Sequence, residues 1–254
     1  KKRVPDMTQR PLASPDYIMP TTNFWQELIP AADPKAMQEP PYQYGYPAIL
    51  PDGRALLLPL RKLPDGTRAV ASLIANQASF PVITALSKAM VHIARSFQPD
   101  QIVGLPTLGL AFAPMVAEEL GHQNFIPLGY SRKFWYSDDL SEPVYSITSP
   151  DRTKKIFLDP NMLPRLEKKR IIIVDDAISS GSTILSVLKL LHRLDCEVIG
   201  ILVAMRQGVK WKSTLDRESP GSSALIRSVI AAPLFEVGPD GWMPITETID
   251  TDTP

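Results

Sequence analysis

One cysteine, Cys196, is all the sequence contains. That excludes an internal disulfide framework and fits a reducing, cytoplasmic compartment. Cys196 sits between a helical pattern and an apolar run, where a structural residue is expected rather than a nucleophile. Histidine is scarce as well: His92, His122 and His192 are the three, and their spacing matches no metal site. Neither sign of charge is in excess, with 27 basic and 27 acidic residues. That argues against a nucleic-acid partner. No apolar run approaches the roughly 20 residues that span a bilayer, so no membrane partner is expected. No apolar stretch follows the basic residues at the start, and no secretory signal is expected there.

What the sequence does have is concentrated in residues 170–183, Arg-Ile-Ile-Ile-Val-Asp-Asp-Ala-Ile-Ser-Ser-Gly-Ser-Thr. Ile171 to Val174 form a β-branched run with no polar alternation, the pattern of a parallel strand buried on both faces. Asp175 and Asp176 follow where such a strand would end. Ser179-Ser180-Gly181-Ser182-Thr183 is small and turn-prone, and it leads into a helical stripe of Ile184, Val187, Leu188 and Leu191. Strand, acid pair, small loop and helix build a pocket at the carboxyl end of a sheet, where open α/β folds bind ligands.

Each part suits one chemistry. A Ser/Gly loop at a helix N-terminus turns backbone N–H groups toward an anion, and the helix dipole adds attraction. The hydroxyls add donors. The acid pair would repel a phosphate but accepts hydrogen bonds from a diol, worth about 1.5–3 kcal/mol each when charge-assisted. A phosphate beside a diol describes ribose 5-phosphate. Taken singly, the strand, the acids and the loop are each ordinary; the ordered string is not.

The string resembles the signature of the type I phosphoribosyltransferases, which use 5-phosphoribosyl 1-pyrophosphate (PRPP). The resemblance implies an α/β fold, a mainly parallel sheet flanked by helices with a small hood or hairpin. It implies that Asp175 and Asp176 hold the ribose hydroxyls and serve catalysis. Ser179, Ser180, Gly181, Ser182 and Thr183 would wrap the 5-phosphate, with Ala177 and Ile178 also among the PRPP-binding residues. Mg²⁺ would accompany PRPP, with the same two carboxylates nearby, and the active form would be a homodimer.

Around this centre the chain divides into three expected parts: an arm over 1–47, a phosphoribosyltransferase-like domain over 48–236, and a loose tail over 237–254. Twelve of the 26 prolines lie before residue 65, a density that blocks regular helix and sheet. Tyr17, Phe24, Trp25, Tyr42, Tyr44 and Tyr46 make the arm more aromatic than a linker, so it is expected to pack on the core or on a partner subunit. Two turn signals, Pro51-Asp52-Gly53 and Pro64-Asp65-Gly66, bracket a hairpin. Ser79 and Pro81 open a helix that Pro99-Asp100 ends. Ile102 to Gly104 is a short strand, and a helix after the next loop stops at Gly121. Phe125 to Gly129 is the next strand. Val144 to Ser149 and Lys155 to Leu158 read as a strand pair around Pro150-Asp151, matching in position the family's closing loop. Val198 to Ala204 is another buried strand.

By the resemblance, Thr107, Leu108 and Gly109 fall in the pyrophosphate loop, and Arg132 and Lys133 meet the same group. The acceptor side is placed by similarity to xanthine phosphoribosyltransferases, which puts Asn76 and Gln77 at the base. Arg206 joins them from the end of the last strand, with Lys210 and Trp211 as weaker candidates; packing is the simpler role for Trp211. Ser179 stands where hypoxanthine-guanine enzymes carry an acid, and a small residue there matches the adenine and xanthine enzymes. The expected activity is transfer of phosphoribosyl from PRPP to a purine. A non-catalytic PRPP-sensing regulator and a transferase with a non-purine acceptor remain as alternatives, since fold does not fix function.

Overall fold

The computed structural model describes residues 23–144 and 154–252. Its regular elements begin with β1 (Gly45–Ile49), β2 (Ala55–Lys62), β3 (Arg68–Ala71) and α1 (Phe80–Arg95). Next come β4 (Gln101–Gly104), α2 (Ala113–Glu119), β5 (Ile126–Pro127), β6 (Ser141–Val144) and β7 (Lys154–Phe157). Then follow β8 (Lys169–Ile178), α3 (Ser182–Leu191), β9 (Cys196–Gln207), α4 (Lys210–Glu218), β10 (Ile226–Ala232), β11 (Leu234–Gly238) and β12 (Gly241–Pro244).

A parallel sheet in the order β10-β9-β8-β4-β5 forms the centre. On β8, Ile172 and Val174 join the core under α1 and α2, while Ile171 and Ile173 join the core under α3 and α4. Both faces of this strand are apolar because both are covered. The turn signals sit at the β1–β2 and β2–β3 reversals, with Gly53 at φ 84° and Gly66 at φ 77°, a conformation open to glycine at little cost. These strands join an antiparallel sheet in the order β1-β2-β3-β11-β12. It adds Leu56, Leu58, Phe235 and Trp242 to the core on the α1 side. Among the described residues no helix is long and apolar enough to cross a membrane.

Several boundaries differ from expectation. β8 runs on to Ile178 because β9 keeps pairing with it as far as Ile178↔Arg206, so the acids lie within the strand's end rather than after it. Cys196 opens β9. β5 has only two residues: it pairs with β4 alone and contains Pro127, which offers no N–H. β6 pairs with β7, while the expected turn at Pro150-Asp151 lies outside the described residues. Residues 237–252 are no loose tail. They complete β11, form β12 and end in Asp250, whose carboxylate accepts from Lys212 of α4, and Asp252, whose carbonyl accepts from Arg206 of β9.

The chain runs from β4 to β5 on one side and then returns to β8 on β4's other side. The switch point therefore lies between the carboxyl ends of β4 and β8, where such sheets leave a crevice for ligands.

Candidate active site

The two strand ends at the switch point are joined directly. Leu105 N donates to Val174 O at 3.0 Å, so the loop leaving β4 turns over the end of β8. It continues through a cis Pro106–Thr107 peptide into a 3₁₀ turn, Leu108–Ala111. A Cβ on Gly109 would stand 2.8 Å from both Cα and Oδ1 of Asp175 and 2.9 Å from Val174 O. The approach is open to glycine alone. Thr107, Leu108 and Gly109 are thus brought onto the acid pair.

Asp175 is buried and Asp176 half-buried. Asp175 Oδ1 accepts from Asp176 N at 2.9 Å. Among the described residues no Lys, Arg or His forms an ion pair with either. Burial, and then the adjacent Asp176 charge, hold the Asp175 carboxyl well above the usual carboxylate range. Burial raises Asp176 as well. Two uncompensated acids in a low-dielectric pocket are poised for a diol or a cation. Nearby, the phenol of Tyr130 is pushed up by its own burial and then by the charges of Asp175 and Asp176. Lys154 Nζ lies 5.6 Å from the centre of its ring. Sequence reasoning missed Tyr130. Its place just before Arg132 and Lys133 was the only signal.

The small loop closes the other side. Gly181 has φ 81° and, as N-cap, offers no side chain to α3, so the N–H groups of Thr183 and Ile184 keep their capacity for an anion. Ser180 Oγ and Ser182 Oγ are 2.9 Å apart, and Ser182 N donates to Ser180 Oγ at 3.3 Å. A Cβ on Gly181 would stand 3.3 Å from Leu215 Cγ and 3.4 Å from Trp211 Cβ, so α4 backs the loop. Trp211 is a packing residue there, its Nε1 donating to Gly208 O at 3.0 Å.

Other expected residues divide. Asn76 and Gln77 are exposed on a 3₁₀ turn, Ala75–Gln77, that packs against Leu108–Ala111 and so joins the rim of the site. Arg132 and Lys133 are exposed beyond β5, and Arg132 lies 3.5 Å from Asp138 rather than on either phosphate-loop candidate. Arg206 is not free to meet a base. It is buried, with Nη1 3.3 Å from Asp250 Oδ2 and Nη2 donating to Asp252 O at 2.8 Å. Lys210 opens α4.

Residues 70–224, more than half of the chain, match the phosphoribosyl transferase domain family. The chain belongs to this family. It is 28% identical over 151 residues to a xanthine phosphoribosyltransferase of Exiguobacterium sp., covering 58% of this chain and 75% of that one. With an adenine phosphoribosyltransferase of Nostoc punctiforme it shares 29% identity over 103 residues, 41% of this chain and 56% of that one. A probable purine biosynthesis transcriptional regulator PurR of Streptococcus pneumoniae is 29% identical over 146 residues. That match covers 56% of this chain and spans half of the regulator's length. The adenine phosphoribosyltransferase of Trypanosoma brucei, solved with AMP, pyrophosphate and ribose-5-phosphate, superposes with a TM-score of 0.54 at 17% identity. It covers 73% of this chain and 75% of that one, and it shows the same fold. The phosphoribosyltransferase resemblance and the α/β fold read from residues 170–183 stand. The family and its xanthine and adenine members support an enzyme of this class. The match leaves out the arm, β1, β2 and everything from β10 onward.

Proposed function

We propose that the protein transfers 5-phosphoribosyl from PRPP to a purine base, releasing pyrophosphate and forming a nucleoside 5′-monophosphate. The observation that carries this reading is the buried acid pair lying between two loops that are free of acidic side chains. In the reaction the bond from ribose C1 to pyrophosphate breaks, a bond from C1 to a base nitrogen forms, and the base gives up a proton. C1 gains positive charge between the two bonds. Catalysis of such a step is mostly positioning and electrostatics.

Asp175 and Asp176 would accept hydrogen bonds from the ribose 2- and 3-hydroxyls and stabilise the charge developing on the sugar. Ser179 to Thr183, with the first-turn N–H groups of α3, would hold the 5-phosphate. Thr107 to Gly109 would meet the pyrophosphate, with Arg132 and Lys133 approaching from beyond β5. Asn76 and Gln77 would read the base edge. The described residues include no cluster of three or more metal-binding side chains. Mg²⁺ binds through one or two carboxylates together with substrate phosphates, and Asp175 and Asp176 are the pair that would hold it. Bound there, it would neutralise charge on the pyrophosphate leaving group. A cytoplasmic homodimer accompanies this reading.

The test is direct. Purified protein with PRPP and Mg²⁺ is offered adenine, guanine, hypoxanthine, xanthine, orotate and uracil, and products are read by mass spectrometry. A purine nucleotide supports the reading and names the acceptor. Orotidylate or uridylate alone would move the acceptor to the pyrimidines.

A second reading is favoured by one observation, the likeness to the PurR regulators. On it the same pocket binds PRPP without turning it over. PRPP binding in calorimetry with no nucleotide from any base would select it.

A further inference from the structure

The arm has no part in the chemistry above and lies outside the family match. Its first described aromatic residues are nonetheless built into the rim of the site. Trp25 is 2% exposed. Its indole Nε1 donates to Ser72 O at 2.9 Å, and its carbonyl accepts from Ser79 N at 2.9 Å. The carbonyl of Gln26 accepts from Ser79 Oγ at 2.7 Å. Gln26 Nε2 donates to Gln77 O at 3.0 Å and to Phe24 O at 2.9 Å. Trp25 holds φ at 60°, a left-handed backbone that a bulky residue keeps only when its surroundings hold it there.

All but one of these bonds land on a single segment, residues 72–79. That segment contains the turn Ala75–Gln77 and ends at Ser79, which also caps α1 by accepting from Val82 N at 3.4 Å. The turn has few bonds of its own: Gln77 N donates to Ile74 O at 2.9 Å and Ala78 N to Ala75 O at 3.1 Å. The side-chain amides of Asn76 and Gln77 are exposed and unpaired among the described residues. Each offers a donor and an acceptor to a ligand. The turn packs on Leu108–Ala111, which itself lies against Asp175.

We propose that Trp25 and Gln26 form a positioning clasp. It holds the amide-bearing turn at the acceptor side of the site, so that acceptor affinity depends on arm residues outside the transferase family match. The clasp rests on the reading of Asn76 and Gln77 as acceptor contacts. Trp25 and Gln26 touch no substrate; they act through the backbone of residues 72–79.

Two variants test it. Gln26→Ala removes an exposed side chain and leaves the core intact. Trp25→Phe keeps a buried ring and loses the indole N–H. Steady-state kinetics give KM for acceptor and for PRPP separately, and hydrogen exchange follows the amides of residues 74–79. The expected result is an acceptor KM raised about three- to tenfold in each variant, the range for one lost hydrogen bond onto residues 72–79. PRPP KM and kcat stay unchanged, and exchange at 74–79 quickens. An unchanged acceptor KM, or equal rises in both KM values, would overturn the clasp. If the wild-type protein forms no nucleotide, the transferase reading fails by itself. Exchange then decides the clasp: unchanged protection at 74–79 overturns it, and faster exchange in both variants upholds the hold on the turn.

Discussion

Gly109 and Asp175 touch across the switch point of the sheet: the first carbon of any side chain at 109 would stand 2.8 Å from Asp175 Cα and Oδ1. Asp175 Cα and the neighbouring Val174 O, 2.9 Å away, are backbone atoms and cannot give way without moving the end of β8. Gly109→Ala should therefore push the loop after β4 off the acid pair. Overpacking of this kind costs about 1–3 kcal/mol of stability, and a misplacement near 1 Å costs on the order of a hundredfold in rate. Thermal unfolding and kcat/KM, measured together, check both. A variant with wild-type kcat/KM would show that the loop's contact with Asp175 has no bearing on turnover.

Asp176→Asn keeps the shape of the side chain and removes its charge. One charge-assisted hydrogen bond to the ribose is worth about 1.5–3 kcal/mol, so kcat/KM should fall about ten- to a hundredfold. Because the interaction strengthens as charge builds on the sugar, kcat should carry most of the loss. A loss confined to KM would make Asp176 a binding residue only.

How much of this could be read from the chain depends on how local each feature is. Ile171 to Val174 announced a strand buried on both faces because covering each face requires apolar residues at every position. Ser79 with Pro81 announced the start of α1, since capping and the missing proline N–H are local matters. The contact between Gly109 and Asp175 was hidden, because a glycine in a loop after a strand looks the same whether or not another strand end lies against it. Arg206 was misread for the same reason. Its partner, Asp250, is brought beside it only by the β11–β12 hairpin, whose pairing partners lie far away in sequence. Tyr130 became visible only once β5 and β8 were placed in one sheet.

The acid pair should also tax the stability of the free protein. Burial holds both carboxyls above their ordinary values, so the folded state keeps protons that the unfolded chain has released. A raised carboxyl pKa means stability is fully present below the unfolded value near 4 and is lost as pH rises through the folded value. Asp175→Asn removes that penalty and retains an acceptor for Asp176 N. It should raise Tm at pH 8, change it little at pH 4, and lower activity. Equal Tm differences at both pH values would remove the electrostatic explanation.

The clearest contrast lies at the end of the chain, where two acids meet two bases in different surroundings. The Asp250 side chain is 2% exposed and bridges the Arg206 side chain, itself 4% exposed, and Lys212, with Nζ 2.7 Å from Oδ1. Asp252 is 66% exposed and reaches Lys212 at 2.6 Å from solvent. Distance alone would rank the second pair at least as strong. Burial reverses the order: removing Asp250 leaves the Arg206 guanidinium without its buried counter-charge, a loss of about 3–5 kcal/mol. An exposed pair adds little, because solvent screens it. At about 2–4 °C of Tm per kcal/mol for a chain near this size, Asp250→Ala should lower Tm by roughly 6–20 °C. Asp252→Ala should shift it far less. Raising salt should shrink the small effect and leave the large one, because a buried pair is little screened. Similar shifts in the two variants would mean that the carboxyl-terminal segment does not stay docked on β9 and α4 in solution.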